Sequence, residues 1–118
     1  MTFSIERQII KDPQGKIKVW TPNGNGQEHF HIGIWIDGTE QELDSVDHVE
    51  YKLHPSFTKP VRTSSNRANK FSVTIWTWGM FEIDVAIYLQ DGSVQRLKYY
   101  LSYELPADDG TNYIAVEA

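Results

Sequence analysis

Histidine, hydroxyl and aromatic side chains are the groups of this sequence best suited to hold or act on a ligand. They gather in three places: His29-Phe30-His31, Leu53-His54-Pro55-Ser56-Phe57 and Thr77-Trp78-Gly79. Two histidines two residues apart on a strand point to the same face. With a third ligand from His48 or His54 they could share a divalent metal. The same spacing also suits a plain strand that shows His29 and His31 to solvent and turns Phe30, Ile32 and Ile34 inward. The second reading is the one adopted here, with no metal and no cofactor. Glu82 and Asp84 share a strand face opposite an apolar one, and ordinary solvation accounts for them. Asp108 and Asp109 read as a turn or tail.

Motifs for covalent or phosphate chemistry are missing. There is no G-x-S-x-G elbow and no H-E-x-x-H pair. Gly24-Asn25-Gly26 precedes a strand rather than opening a helix, the wrong setting for a nucleotide loop. With no cysteine, a thiol nucleophile, a thiolate metal site and a disulfide scaffold are all excluded. The formal net charge of -5, without a Lys/Arg cluster, argues against a nucleic-acid partner, which needs a concentrated basic face. The N-terminus lacks the pattern of a secretory signal, and no stretch approaches the ~18 apolar residues that span a bilayer. The expectation is a soluble, cytoplasmic binding module without a membrane partner, and not an enzyme.

The elements that must carry these groups are strands. No long segment repeats its apolar residues every 3.6 positions; short alternating runs between turn residues dominate. The pattern predicts strands over 3–10, 17–20, 30–35, 46–53, 71–76, 81–89 and 94–103. The run 81–89 is the clearest, with Phe81, Ile83, Val85, Ile87 and Leu89 on one face. Turns fall at Asp12-Pro13-Gln14-Gly15, over 21–26, at Asp37-Gly38, at Asp91-Gly92 and over 106–110. Residues 40–44 form a solvated connection with room for a helical turn. Residues 56–70 form a long loop with at most a short strand at 61–63, and 113–116 is a last short strand or a frayed tail. Four Trp, six Tyr and five Phe in 118 residues suit strands. The expected fold class is all-β: one domain, an immunoglobulin-like two-sheet antiparallel β-sandwich.

Two stretches carry a family resemblance. The first is Leu53-His54-Pro55-Ser56-Phe57 running to Pro60-Val61-Arg62. The second is Thr77-Trp78-Gly79-Met80-Phe81-Glu82-Ile83, followed by Ile87-Tyr88-Leu89 and Asp91-Gly92-Ser93. In order and spacing this half of the chain resembles the YEATS domain family, with its prokaryotic members the nearer analogy. The resemblance implies the same sandwich fold and an open aromatic slot in which two loops grip acylated lysine, crotonyl and other flat acyl groups being favoured. Carried over by position, Phe57 and Trp78 are the slot walls and Ser56 hydrogen-bonds the acyl amide. The N–H of Trp78, with its neighbour Gly79, meets the acyl carbonyl, and His54 borders the slot and helps hold its loop. Thr77 stands where the family usually has glycine. The implied partner is an acylated-lysine protein or peptide.

The residues alone leave other readings open. Residues 54–57 also fit an ordinary strand exit, and Trp78-Gly79 an ordinary aromatic-glycine turn. Thr77 suits a protein-interaction module of a bacterial signalling or defence system that keeps the fold without acyl-lysine binding. The aromatic content alone suits a carbohydrate-binding sandwich.

Overall fold

Alternating apolar residues need a second surface to bury them, and here two sheets supply it for each other. The computed structural model describes residues 2–22 and 26–117; Asn23, Gly24 and Asn25 of the expected 21–26 loop lie outside them. One sheet contains β1 (Ser4–Ile9), β2 (Ile17–Trp20), β3 (His29–Asp37), β6 (Val73–Thr77) and β9 (Tyr113–Ala115). The other runs in the order β5 (Val61–Ser64), β4 (Val46–Lys52), β7 (Phe81–Leu89), β8 (Val94–Leu101). β3 is the spine of the first sheet: β1 and β2 lie end to end along one of its edges and β6 along the other.

The core forms where the inward faces meet. Ile32, Ile34 and Ile36 of β3 pack with Val49 and Tyr51 of β4 and Ile83, Val85 and Ile87 of β7. The two-sheet immunoglobulin-like sandwich expected from the alternation is the fold observed. One pairing differs in sense: β9 joins β2 in parallel, with Ile17 opposite Tyr113. A parallel partner must arrive through a long crossover, so the local pattern around 113–116 carries no sign of it.

Three local features depart from or complete the expected elements. Residues 40–44 form α1 (Glu40–Asp44), closed by a capping box in which Thr39 and Glu42 satisfy each other's backbone N–H. The long loop contains β5 and a 3-10 turn at Arg67–Asn69. The strand expected over 71–76 begins later, at Val73. Lys70 and Phe71 take left-handed backbone angles, φ 59° and 57°, and turn the chain before the strand starts. Such angles cost about 1–2 kcal/mol per non-glycine residue. What offsets them is the complete burial of the Phe71 ring and a hydrogen bond from the buried Tyr51 hydroxyl to the Phe71 carbonyl, 2.7 Å. Burial also pushes the Tyr51 phenol well above its ordinary pKa of 10. This knot fixes where β6 begins, and the candidate site lies at its far end.

Candidate functional site

Leaving β4, the chain makes a tight turn at His54-Pro55-Ser56-Phe57. The Phe57 N–H donates to the His54 carbonyl at 3.0 Å, and Pro55 presets the dihedral such a turn needs. The Ser56 N–H donates to His54 Nδ1 at 3.1 Å, and Ser56 Oγ lies 2.8 Å from the same nitrogen. A nitrogen that accepts the N–H carries no proton, so the hydroxyl hydrogen also turns toward it. The Oγ lone pairs are then left to accept from a ligand. The Phe57 ring is half-buried and tilts against Phe81 at 5.2 Å, while His54 meets Phe81 edge-on at 6.5 Å. The Leu53 N–H donates to the Pro60 carbonyl at 2.6 Å and closes the loop at its base.

The second loop joins β6 to β7. Thr77 is buried, 3% exposed, and its Oγ1 accepts from the Gly79 N–H (3.3 Å) while donating to the Gly79 carbonyl (3.1 Å). The Tyr103 hydroxyl donates to that carbonyl as well, at 3.2 Å. Threonine therefore builds this turn through its hydroxyl. It needs no left-handed backbone, for among the described non-glycine residues positive φ occurs at Lys70 and Phe71. The turn pushes Trp78 outward, leaving it 58% exposed. The Trp78 N–H makes no hydrogen bond among the described residues, whereas the Gly79 N–H expected beside it is engaged by Thr77. A Cβ at Gly79 would meet open space.

Both loops open onto one cavity of about 600 Å³. All six residues singled out in the sequence line it: His54, Ser56, Phe57, Thr77, Trp78 and Gly79. Its walls therefore combine aromatic faces with hydroxyls, Ser56 among them, and the free N–H of Trp78. Among the described residues Arg62 is the single formal charge in its lining, and no carboxylate is present. The Arg62 Nε donates to the Lys59 carbonyl at 2.6 Å, which tethers the guanidinium.

The cavity extends beyond the two motifs. Trp20, His29 and Trp76 also line it, from the outer face of the first sheet. His29 and His31 do share a face, but they do not stand free in solvent. Trp20 packs on His29 at 5.3 Å and on Trp76 at 5.8 Å, and His31 stacks on Trp76 at 4.5 Å with planes 4° apart. The signal was present in the alternation of Trp76 with Ile75 and Thr77, but the register that sets His31 opposite Trp76 is tertiary. Burial, then the neighbouring Lys18 ammonium, hold the His31 pKa below its ordinary 6.5. Its Nδ1 is buried without a hydrogen-bond partner among the described residues. His48 stacks on Tyr88 in the second sheet. Among the described residues no group of three or more His, Asp or Glu side chains is arranged to hold a metal.

Comparison with known proteins identifies the family. The family model of the prokaryotic YEATS domain matches residues 30–102. The chain is 32% identical over 105 residues to the Protein AF-9 homolog of Saccharomyces cerevisiae, covering 84% of this chain and 45% of the relative. It is 40% identical over 68 residues to transcription initiation factor TFIID subunit 14 of Schizosaccharomyces pombe, covering 57% of this chain and 27% of that protein. It thus spans less than half the length of these curated relatives. The solved Yaf9 YEATS domain bound to H3K27ac is similar with a TM-score of 0.60 at 20% identity, over 88% of this chain and 71% of that one. The Yaf9 YEATS domain recognizing an H3K122suc peptide gives 0.58 at 20% identity, over 85% and 69%. No helix among the described residues is long and apolar enough to cross a membrane. With its family model matched over more than half of its residues, the chain belongs to the prokaryotic YEATS domain family.

Proposed function

We propose that this chain is a non-catalytic reader of acylated lysine, which it takes into the cavity between the His54–Phe57 turn and the Thr77–Gly79 turn. The observation that carries the reading is the convergence of Phe57, Trp78, Ser56 and the unpaired Trp78 N–H on one open cavity. Acylation converts a charged ammonium into a flat amide with one donor and one acceptor. Aromatic faces stack on such a plane, contributing ~0.5–1.5 kcal/mol beyond the area buried. The Ser56 Oγ lone pairs suit the amide N–H, and the Trp78 N–H suits the acyl carbonyl. An amide buried without both partners loses about 1–3 kcal/mol. An unmodified ammonium has no counter-charge in this lining and is disfavoured.

The family relatives support the class of ligand. One solved Yaf9 YEATS domain is bound to H3K27ac and another recognises an H3K122suc peptide. In this chain a flat, unsaturated crotonyl group matches the aromatic lining best. The test is a calorimetric or NMR titration with crotonyl-lysine and unmodified lysine peptides. Saturable binding of the crotonyl peptide alone is expected. Absence of saturable binding at millimolar ligand sinks the proposal.

A further inference from the structure

β6 is an edge strand, and its open side faces the candidate cavity. The hydrogen-bond parity of β3 shows which backbone groups of β6 are free. The Ile10 N–H donates to the His31 carbonyl at 2.8 Å, and the Ile36 N–H donates to the Lys70 carbonyl at 3.3 Å. On an antiparallel strand the N–H and C=O of one residue point to the same side, and successive residues alternate sides. Odd-numbered residues of β3 therefore face β1, and even-numbered ones face β6. The register sets Phe30 opposite Thr77, Ile32 opposite Ile75 and Ile34 opposite Val73. Those three residues of β6 spend their backbone groups on β3. Thr74 and Trp76 point theirs the other way, and the Trp78 N–H continues the row. None of the three N–H groups has a hydrogen bond among the described residues.

Three further observations say what this edge is for. The cavity touches Thr74, Ile75, Trp76 and Thr77 in succession. Side chains of a strand alternate between faces, so a cavity that meets four in a row runs along the edge. The edge is also unguarded. Proteins blunt exposed edges with charge or brevity. Here β1 carries Glu6 and Arg7, β5 carries Arg62, β8 carries Arg96 and Lys98, and β9 has three residues, but Val73–Thr77 has no charge at all. Finally the edge is rigid, because the Trp76 ring is held from behind by His31 and Trp20. A preorganised edge loses little entropy when a partner pairs with it.

We propose that the free edge of β6 is a main-chain docking surface for the acylated peptide itself, whose extended backbone adds as a further strand beside Thr74 and Trp76. This rests on the acyl-lysine reading of the adjoining slot. The occupant follows from continuity: one cavity joins the edge to the slot, and the Trp78 N–H ends the same row of donors. Main-chain pairing reads no side chains, so the reader tolerates varied sequence around the modified lysine.

The test compares four probes by calorimetry on the native protein: Nα-acetyl-crotonyl-lysine amide, a seven-residue peptide centred on crotonyl-lysine with Ala and Ser flanks, and two N-methylated forms of that peptide. Each N-methylated form blocks one alternate set of backbone amides. The peptide is expected to bind at least ~5-fold more tightly than the single residue, since two or more main-chain hydrogen bonds are added. N-methylation of one alternate set abolishes that gain, and of the other leaves it. Thr74→Pro removes an outward donor without touching the β3 ladder, a position where an edge strand accepts proline. It lowers peptide affinity ~3- to 10-fold, with the melting temperature reporting that the fold survives. If the single residue binds and the peptide binds no better, or both N-methylated forms bind alike, the edge proposal fails while the slot reading stands. If no probe binds, the slot reading fails and this one with it. A concentration-dependent dimer in sedimentation that Thr74→Pro dissolves, with a flat peptide series, assigns the edge to a second copy and overturns the proposal.

Discussion

Replacing Trp78 by alanine separates binding from folding, because the structure leaves this ring outside the core. At 58% exposure its removal opens no cavity in the sandwich, and such surface changes stay within about 0.5 kcal/mol of the native stability. Binding is another matter. An acyl amide laid on the indole covers roughly a quarter of the ~200 Å² an aromatic side chain can bury. At ~25 cal/mol per Å² that is about 1.2 kcal/mol, and stacking adds ~0.5–1.5 kcal/mol. Together they amount to about 1.7–2.7 kcal/mol, on the order of 20- to 100-fold in Kd. The assay is calorimetric titration of crotonyl-lysine peptide into native and Trp78→Ala protein, with urea melts of both. The expected result is a large loss of affinity with an unchanged urea midpoint. The reasoning is refuted if affinity changes less than threefold, or if affinity and stability fall together.

Three other outcomes follow from the same structure. Phe57→Ala behaves differently from Trp78→Ala, because Phe57 packs on Phe81 and the core: it weakens binding and also costs about 2–3 kcal/mol in a urea melt. Tyr51→Phe leaves the buried Phe71 carbonyl without its donor and costs ~1–3 kcal/mol at unchanged urea m-value; an unchanged midpoint would contradict the role given to that bond. His31 predicts a pH dependence. Its folded pKa lies below the ordinary 6.5, so under acid the unfolded chain takes the proton more readily. The stability it contributes is therefore present above about pH 6.5 and is lost as pH falls through the lower folded value. His31→Phe keeps a ring against Trp76, so thermal melts at pH 7.5 and 5 should show a smaller acid loss in the variant than in native protein.

Much of the fold was legible because strands announce themselves locally. The alternation from Phe81 to Leu89 and the turn residues Asp91-Gly92 required nothing beyond the chain near them, and the observed β7 and β8 follow them closely. The start of β6 was misjudged by two residues for an equally physical reason. Phe71 reads as a strand residue by type, but the left-handed turn at Lys70 and Phe71 is held by Tyr51, twenty residues away. The parallel addition of β9 to β2 was likewise out of reach, since it joins segments about ninety residues apart.

The site divides along the same line. The sequence by itself determined the chemistry available: an imidazole, a hydroxyl and an aromatic ring in one short turn, an indole and glycine in another, and no thiol or clustered cation to suggest anything else. It also showed Thr77 as the odd residue of the second turn. Only the tertiary structure decided that the two turns share a cavity, that Thr77 closes its turn through its own hydroxyl and ties up the Gly79 N–H, and that the Trp78 N–H is left free. Only it showed that the cavity continues along the bare edge of β6. The physical reason is that residue type sets what a group can donate, accept or stack on. Which of those capacities remains unspent depends on the partners that strand register and sheet packing bring from far along the chain.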